Sequence, residues 1–224
     1  MGIWGIMIIV MVASLLIQQM LHSRFEKYSK IGTANGMSGA EVAEKMLREY
    51  GIHDVKVIST RGTLTDHYNP QTKTVALSEG VYGSRSIAAA AVAAHECGHA
   101  VQHAYGYGPL KMRTALVPVV NFASNIVQWV IFAGVIFIKT MPGLLWIGIL
   151  LFATTTLFSF ITLPVEINAS SRAIAWLSRA GVTDRTTHSK AIDALKWAAY
   201  TYVVAAVGSL ATLLYYIGIA RNRN

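Results

Sequence analysis

Four stretches of the chain are almost free of charge, and the polar residues lie between and beside them. The first runs from Ile3 to Leu21, with Arg24, Lys27 and Lys30 directly after it. A run of this length crosses a hydrocarbon core as a helix. A cleaved signal segment has basic residues before its apolar run and a small-x-small site after it, so this run is expected to be an uncleaved anchor. Thr114 to Ile138 and Leu144 to Leu163 form a pair joined by Lys139–Gly143, too short for anything but a tight hairpin. Trp197 to Ile219 is the fourth run. Asn121, Asn125 and Gln128 in the second run, and Thr154 to Thr156 in the third, are expected to hydrogen-bond between helices.

After the first run the period changes. Ser38 followed by Glu41 has the form of a capping box, and Val42, Met46 and Leu47 then share one helical face until Gly51. Val55, Val57 and Ile58 predict a short strand, and Asp66-His-Tyr-Asn-Pro70 predicts a turn. Thr72 to Ser78 alternates, with Thr72, Thr74, Ala76 and Ser78 on one face, and predicts a second strand. From Ser86 to Gly106 an alanine-rich stretch predicts a strong helix. The expected organisation is a transmembrane helix at 1–21, a soluble α+β lobe at 22–113 and a transmembrane hairpin at 114–163. A helical segment at 164–196, a fourth transmembrane helix at 197–219 and a tail at 220–224 complete it.

Composition agrees with this pattern. Of 224 residues 54% are apolar and 13% charged, against about 25% charged in an ordinary soluble domain. That balance excludes a water-soluble globule and intrinsic disorder. The net charge of +8 could point to nucleic acid, but the basic residues flank apolar runs, which is the membrane pattern. With four spans, 16 of the 19 Lys and Arg fall on the side of the large loop and the Glu166 segment. The positive-inside rule then predicts a multi-pass protein of the inner (plasma) membrane with its lobe in the cytoplasm. A channel or transporter would need ionisable residues inside the spans, and apart from Glu166 at an edge there are none. The single cysteine, Cys97, excludes a disulfide scaffold and a thiolate-based zinc site.

The alanine-rich helix contains His95-Glu-Cys-Gly-His99. Two histidines four apart stand on one helical face, so both imidazoles reach the same metal ion. Glu96 is then placed to take a proton from water activated by that ion. Gly98 suits a close approach, and Cys97 points away from the histidine face and reads as packing. His103 continues the face but lies about 12 Å from His95 along the axis, too far to share its metal on one helix. The bland alternative is a pair of satisfied structural histidines. For a third ligand, Glu166 is the only acidic residue between Glu96 and Asp184, at the edge of a span where a carboxylate is costly unless paired. It also suits a helix start two residues after Pro164. His67, Asp66, His188 and Asp184 are rival ligands.

The stretches DHYNPQTKTVALSEGVYGSRSIAAAAVAAHECGHAVQHAYGY and LPVEINASSRA resemble the YugP-type family of neutral zinc metallopeptidases of the bacterial membrane. More loosely, the chain is similar to HtpX-type membrane proteases. The resemblance implies a zincin-like lobe and one Zn2+ per chain. It also implies His95 and His99 as ligands, Glu166 as the third ligand in the gluzincin manner, and Glu96 as general base. One departure is Asn168, where the family pattern has an acidic residue two past the third ligand.

The fold class expected is therefore a mainly α membrane protein with about four transmembrane helices and a small α+β zincin-like lobe. The expected activity is hydrolysis of peptide bonds in membrane or misfolded proteins; a non-catalytic zinc-containing scaffold or adaptor is the alternative. Asn168 and Ser170 are expected to hydrogen-bond the ligand histidines, with His103 and Arg172 as further candidates. Arg172, His103, His188, Tyr200 and Tyr202 are the candidates for stabilising the oxyanion. A substrate backbone is expected to add as a strand beside Thr72–Ser78, through Thr72, Thr74, Ala76 and Ser78. The partners expected are a protein or peptide substrate and the lipid bilayer, with no nucleic acid; an oligomer or a membrane partner protein is left open.

Overall fold

The long apolar runs are continuous helices. The computed structural model describes residues 2–222, so the end of the expected 220–224 tail lies outside the described residues. In chain order the elements are α1 (Ile3–Ser29), α2 (Gly39–Glu49), β1 (Lys56–Thr60), β2 (His67–Asn69), β3 (Thr74–Ser78) and the single turn α3 (Glu79–Tyr82). Then come α4 (Ile87–Ala104), α5 (Gly108–Ile136), α6 (Pro142–Arg179) and α7 (His188–Asn222). Among the described residues α1, α5, α6 and α7 are long and apolar enough to cross a membrane. The fold is that of a mainly α membrane protein with a small α+β lobe. The expected boundaries at 163/164 and 196/197 fall inside the continuous helices α6 and α7.

The chain forms two compact units. One consists of the residues up to Leu16, Lys111–Pro164 and the residues from Thr201 on. Its interior is a cluster of Ile131, Ile138, Leu145, Ile149 and Ala220. Small residues let its helices touch: a β-carbon on Gly134 would lie 2.6 Å from the Leu145 Cα, and one on Gly208 would lie 2.8 Å from the Val10 side chain. The outward faces carry Trp4, Trp129 and Leu150, each at least 70% exposed. In lipid such faces need no partner, because the hydrocarbon is as apolar as they are. The threonines of α6 do not act as expected. Thr154 Oγ1 donates to the Leu151 carbonyl at 2.7 Å, Thr155 to Phe152 at 2.8 Å and Thr156 to Phe152 at 3.1 Å. Each satisfies its hydroxyl on its own helix, the local solution always open to Ser and Thr.

The second unit, Ile17–Leu110 with Val165–Tyr200, holds the polar lobe. Its centre is α4, whose Ala88, Ala89, Ala90, Ala91, Ala93 and Ala94 are all fully buried. Alanine on every face allows neighbours to close in from every side. The amphipathic α2 packs Val42, Ala43, Met46 and Leu47 against it in one core with Val75, Leu77 and the fully buried Trp176 of α6. The α2 capping box forms: Glu41 N–H donates to Ser38 Oγ at 3.3 Å and Ser38 N–H to Glu41 Oε2 at 2.7 Å. Tyr28 OH donates to Asp193 Oδ2 at 2.6 Å, tying the end of α1 to the start of α7.

The sheet differs from expectation in three respects. Its order is β1-β3-β2, with β1 parallel and β2 antiparallel to β3. The segment expected as a turn, Asp66–Pro70, instead contains β2. Its Asp66 carboxylate accepts the Ser78 N–H at 2.8 Å and so fastens β2 to the end of β3. The turn chemistry lies just after it, where Asn69 Oδ1 accepts the N–H groups of Gln71 and Thr72 and Lys73 takes φ +50°. The strand expected from Thr72 begins at Thr74. Because β3 is bonded on both sides, no substrate strand can be added beside Thr72, Thr74, Ala76 and Ser78, contrary to expectation.

Between α6 and α7, one Asp184 oxygen accepts the N–H groups of Thr186 and Thr187 at 2.7 and 2.8 Å, and both of their hydroxyls. These bonds hold its carboxyl well below the usual carboxylate range. A depressed folded-state pKa contributes stability above the unfolded value of about 3.9, and the contribution is lost as pH falls through the folded value. Asp184→Ala should therefore lower the unfolding temperature at pH 7, with the gap to the parent narrowing as pH falls below 4. Thermal scans across that range check it; a gap independent of pH would contradict it.

Candidate metal centre

Helix α4 starts at the Ser86 cap, whose hydroxyl accepts the Ala89 N–H at 3.3 Å. The helical period then places His95 and His99 one above the other, ring centroids 4.8 Å apart and nearly perpendicular. Facing them from α6 is Glu166, only 3% exposed. Its Oε2 lies 3.3 Å from His95 Nε2 and 3.4 Å from His99 Nε2. One donor atom from each of the three residues falls within 4.8 Å of the others.

This convergence depends on how closely α4 and α6 approach. A β-carbon on Gly98 would lie 2.6 Å from the Ala169 carbonyl oxygen and 3.1 Å from its Cα. The opposing atoms are backbone, with no side chain to swing aside. Cys97, one position back, is fully buried on another face, its Sγ 3.6 Å from the Ala43 carbonyl. Burial pushes its thiol well up, consistent with packing rather than reactivity.

Both histidines are held from behind. His95 Nδ1 lies 3.0 Å from Ser170 Oγ, one turn past Glu166. His99 Nδ1 lies 3.0 Å from Gln102 Oε1. Gln102 Nε2 donates to the Val165 carbonyl at 2.7 Å and to Asn168 Oδ1 at 3.1 Å, and Arg172 Nε donates to the same Asn168 oxygen at 2.8 Å. Burial pushes the His99 imidazole down, but the Glu166 carboxylate, with smaller help from Glu96 and Gln102, more than offsets this and raises its pKa. Glu96 Oε2 accepts the Tyr68 backbone N–H of β2 at 3.0 Å.

The structure thus brings His95, His99 and Glu166 together, with Ser170 against His95. Asn168 and Arg172 join the same network through Gln102. His103 stands aside, its Nδ1 3.2 Å from Tyr68 OH. The rival ligands are engaged elsewhere: His67 Nδ1 with the Thr65 carbonyl, Asp66 with Ser78, His188 Nδ1 with Thr183 Oγ1, and Asp184 with its turn. Tyr200 packs edge-on against Trp197, and Tyr202 belongs to the apolar unit. Sequence reasoning missed Gln102 and Tyr68. Gln102 had a signal, an amide three residues past His99 in a stretch otherwise apolar on its buried side. Tyr68 acts through its backbone and had none.

Two imidazoles and a carboxylate are a donor set suited to zinc, one short of the four that close a structural site. Glu96 stands beside this set, directly after His95 on the same helix. The model of the family described as "Putative neutral zinc metallopeptidase" matches residues 3–221, and the chain belongs to that family. It is 46% identical over 200 residues, 89% of this chain and 88% of the other, to the "Putative membrane protease YugP" of Bacillus subtilis (strain 168). No solved structure matches.

Gly98→Ala tests the helix contact. Alanine is the better helix former by about 1 kcal/mol, whereas overpacking a tight contact costs about 1–3 kcal/mol. The expected result is a net loss of thermal stability together with weaker zinc binding. A stabilised variant with parent-like zinc affinity would contradict the close approach of α4 to α6.

Proposed function

We propose that the chain is a membrane zinc metalloendopeptidase of the gluzincin type. In this reading His95, His99 and Glu166 hold one zinc ion and Glu96 is the general base. The observation that carries it is the convergence of those three side chains within 4.8 Å, with Glu96 at the next position on the same helix. Zinc in such a site supplies Lewis acidity, drawing the pKa of coordinated water towards 7 and polarising a carbonyl oxygen. Glu96 has one oxygen fixed by the Tyr68 N–H, which sets its rotamer. On its other oxygen it takes the proton of the attacking water and passes it to the departing amide nitrogen. Ser170 and Gln102 keep the two imidazoles from rotating while this happens.

The substrate is an extended segment of a membrane or misfolded protein. It lies beside β2, the edge strand next to Glu96, since β3 has no open side. The distribution of Lys and Arg supports a cytoplasmic lobe on the inner (plasma) membrane.

The test is hydrolysis of an unfolded protein by the full chain in detergent, beside Glu96→Gln, with zinc content measured in both. The parent should cleave, and a chelator should abolish cleavage until zinc is restored. Glu96→Gln should retain zinc and lose activity by about 100-fold or more, the scale of a general base. Equal turnover in the two proteins would remove Glu96 from the reaction. Zinc bound in both without any turnover would favour the scaffold alternative.

A further inference from the structure

Gln102 is fully buried, and an amide in such a place is costly unless every polar atom is bonded. Its bonds reach both helices of the metal centre. A primary amide offers two protons and one acceptor oxygen. Here both protons are directed at oxygens, the Val165 carbonyl at 2.7 Å and Asn168 Oδ1 at 3.1 Å. Asn168 Oδ1 is itself identified as oxygen by the Arg172 Nε–H, which donates to it at 2.8 Å. Gln102 can therefore present only Oε1 to His99 Nδ1, 3.0 Å away. That nitrogen must carry a hydrogen, so in the neutral imidazole it is Nε2, on the Glu166 side, that offers its lone pair to a metal. Ser170, opposite His95, dictates nothing of the kind, because a hydroxyl donates or accepts as required.

The two acceptors on α6 are also informative. Val165 immediately precedes Glu166 and Asn168 follows it by two, so the one side chain grips the turn that carries Glu166 on both flanks.

We propose that Gln102 is a positioning residue that fixes the tautomer of His99 and seats the Glu166 turn against α4, so that the metal ligands of the two helices are set by one amide. This role rests on the metal-site reading above. A simpler account makes Gln102 a packing knot between helices, which would lower the stability of the metal-free protein without touching its metal chemistry.

The experiment uses the full chain in detergent and Gln102→Met, which keeps length and volume but none of the three bonds. Zinc affinity is measured by chelator competition, the coordination by the visible spectrum of the cobalt(II) form, and folding by metal-free thermal unfolding. The expected result is one zinc bound by the parent, and a folded variant that binds it about 10–100-fold more weakly with a changed cobalt spectrum. A folded variant with parent-like affinity and spectrum would overturn the role of Gln102 and leave the metal site standing. A parent that binds no zinc would remove the metal site and this role with it. Should Gln102→Met not fold, nitrogen-15 imidazole spectra of the zinc-free parent, taken where His99 is neutral, decide the matter. The Nδ1–H form of His99 supports the proposal, and the Nε2–H form overturns it.

Discussion

The close packing of α4 on α6 is the constraint on which the rest depends. At Gly98 and Ala169 the two helices meet with no side chain between them, and beside that contact a carboxylate on one comes within 3.4 Å of two imidazoles on the other. The alanines around α4 follow from the same requirement. Where α4 admits α2, α6 and the sheet at short distances its buried positions are mostly alanine, and much of the core's bulk comes from neighbours such as Met46, Leu77 and Trp176.

Burying His95, His99, Glu166 and Gln102 in one small volume runs against the hydrophobic logic of the lobe around them. Desolvated charge is tolerated only when it is paired and bonded, and here each group leans on the next. Glu166 faces the two Nε2 atoms, Ser170 and Gln102 face the two Nδ1 atoms, and Asn168 and Arg172 stand behind Gln102. Such a network has little value for stability compared with a leucine cluster of the same size. Its chemistry is that of a metal centre, and α6 carries it on the same continuous helix that supplies one of the apolar spans.

Features fixed by local periodicity were legible in the sequence. Four apolar runs, the capping box at Ser38 and Glu41, and two histidines on one helical face all depend on residues within a turn or a single helix. Glu166 was legible for another reason, the scarcity of acidic residues near it. What depends on pairing between distant segments was not legible. β2 is three residues long and exists because β3 and Asp66 hold it, so its residues read as a turn. The position of β3 in the middle of the sheet, which removes the expected substrate edge, follows from topology and leaves no mark on Thr72–Ser78. The threonines of α6 had two ways to satisfy a hydroxyl, and composition cannot choose between a neighbouring helix and their own carbonyls.

The most direct test of the account is X-ray absorption at the zinc edge on the purified full chain. The account predicts one zinc per chain with only nitrogen and oxygen neighbours, two of them imidazole and one carboxylate. A sulfur neighbour, which could come from the buried Cys97 or from one of the methionines, or an absence of imidazole scattering, would contradict the convergence of His95, His99 and Glu166 on one ion.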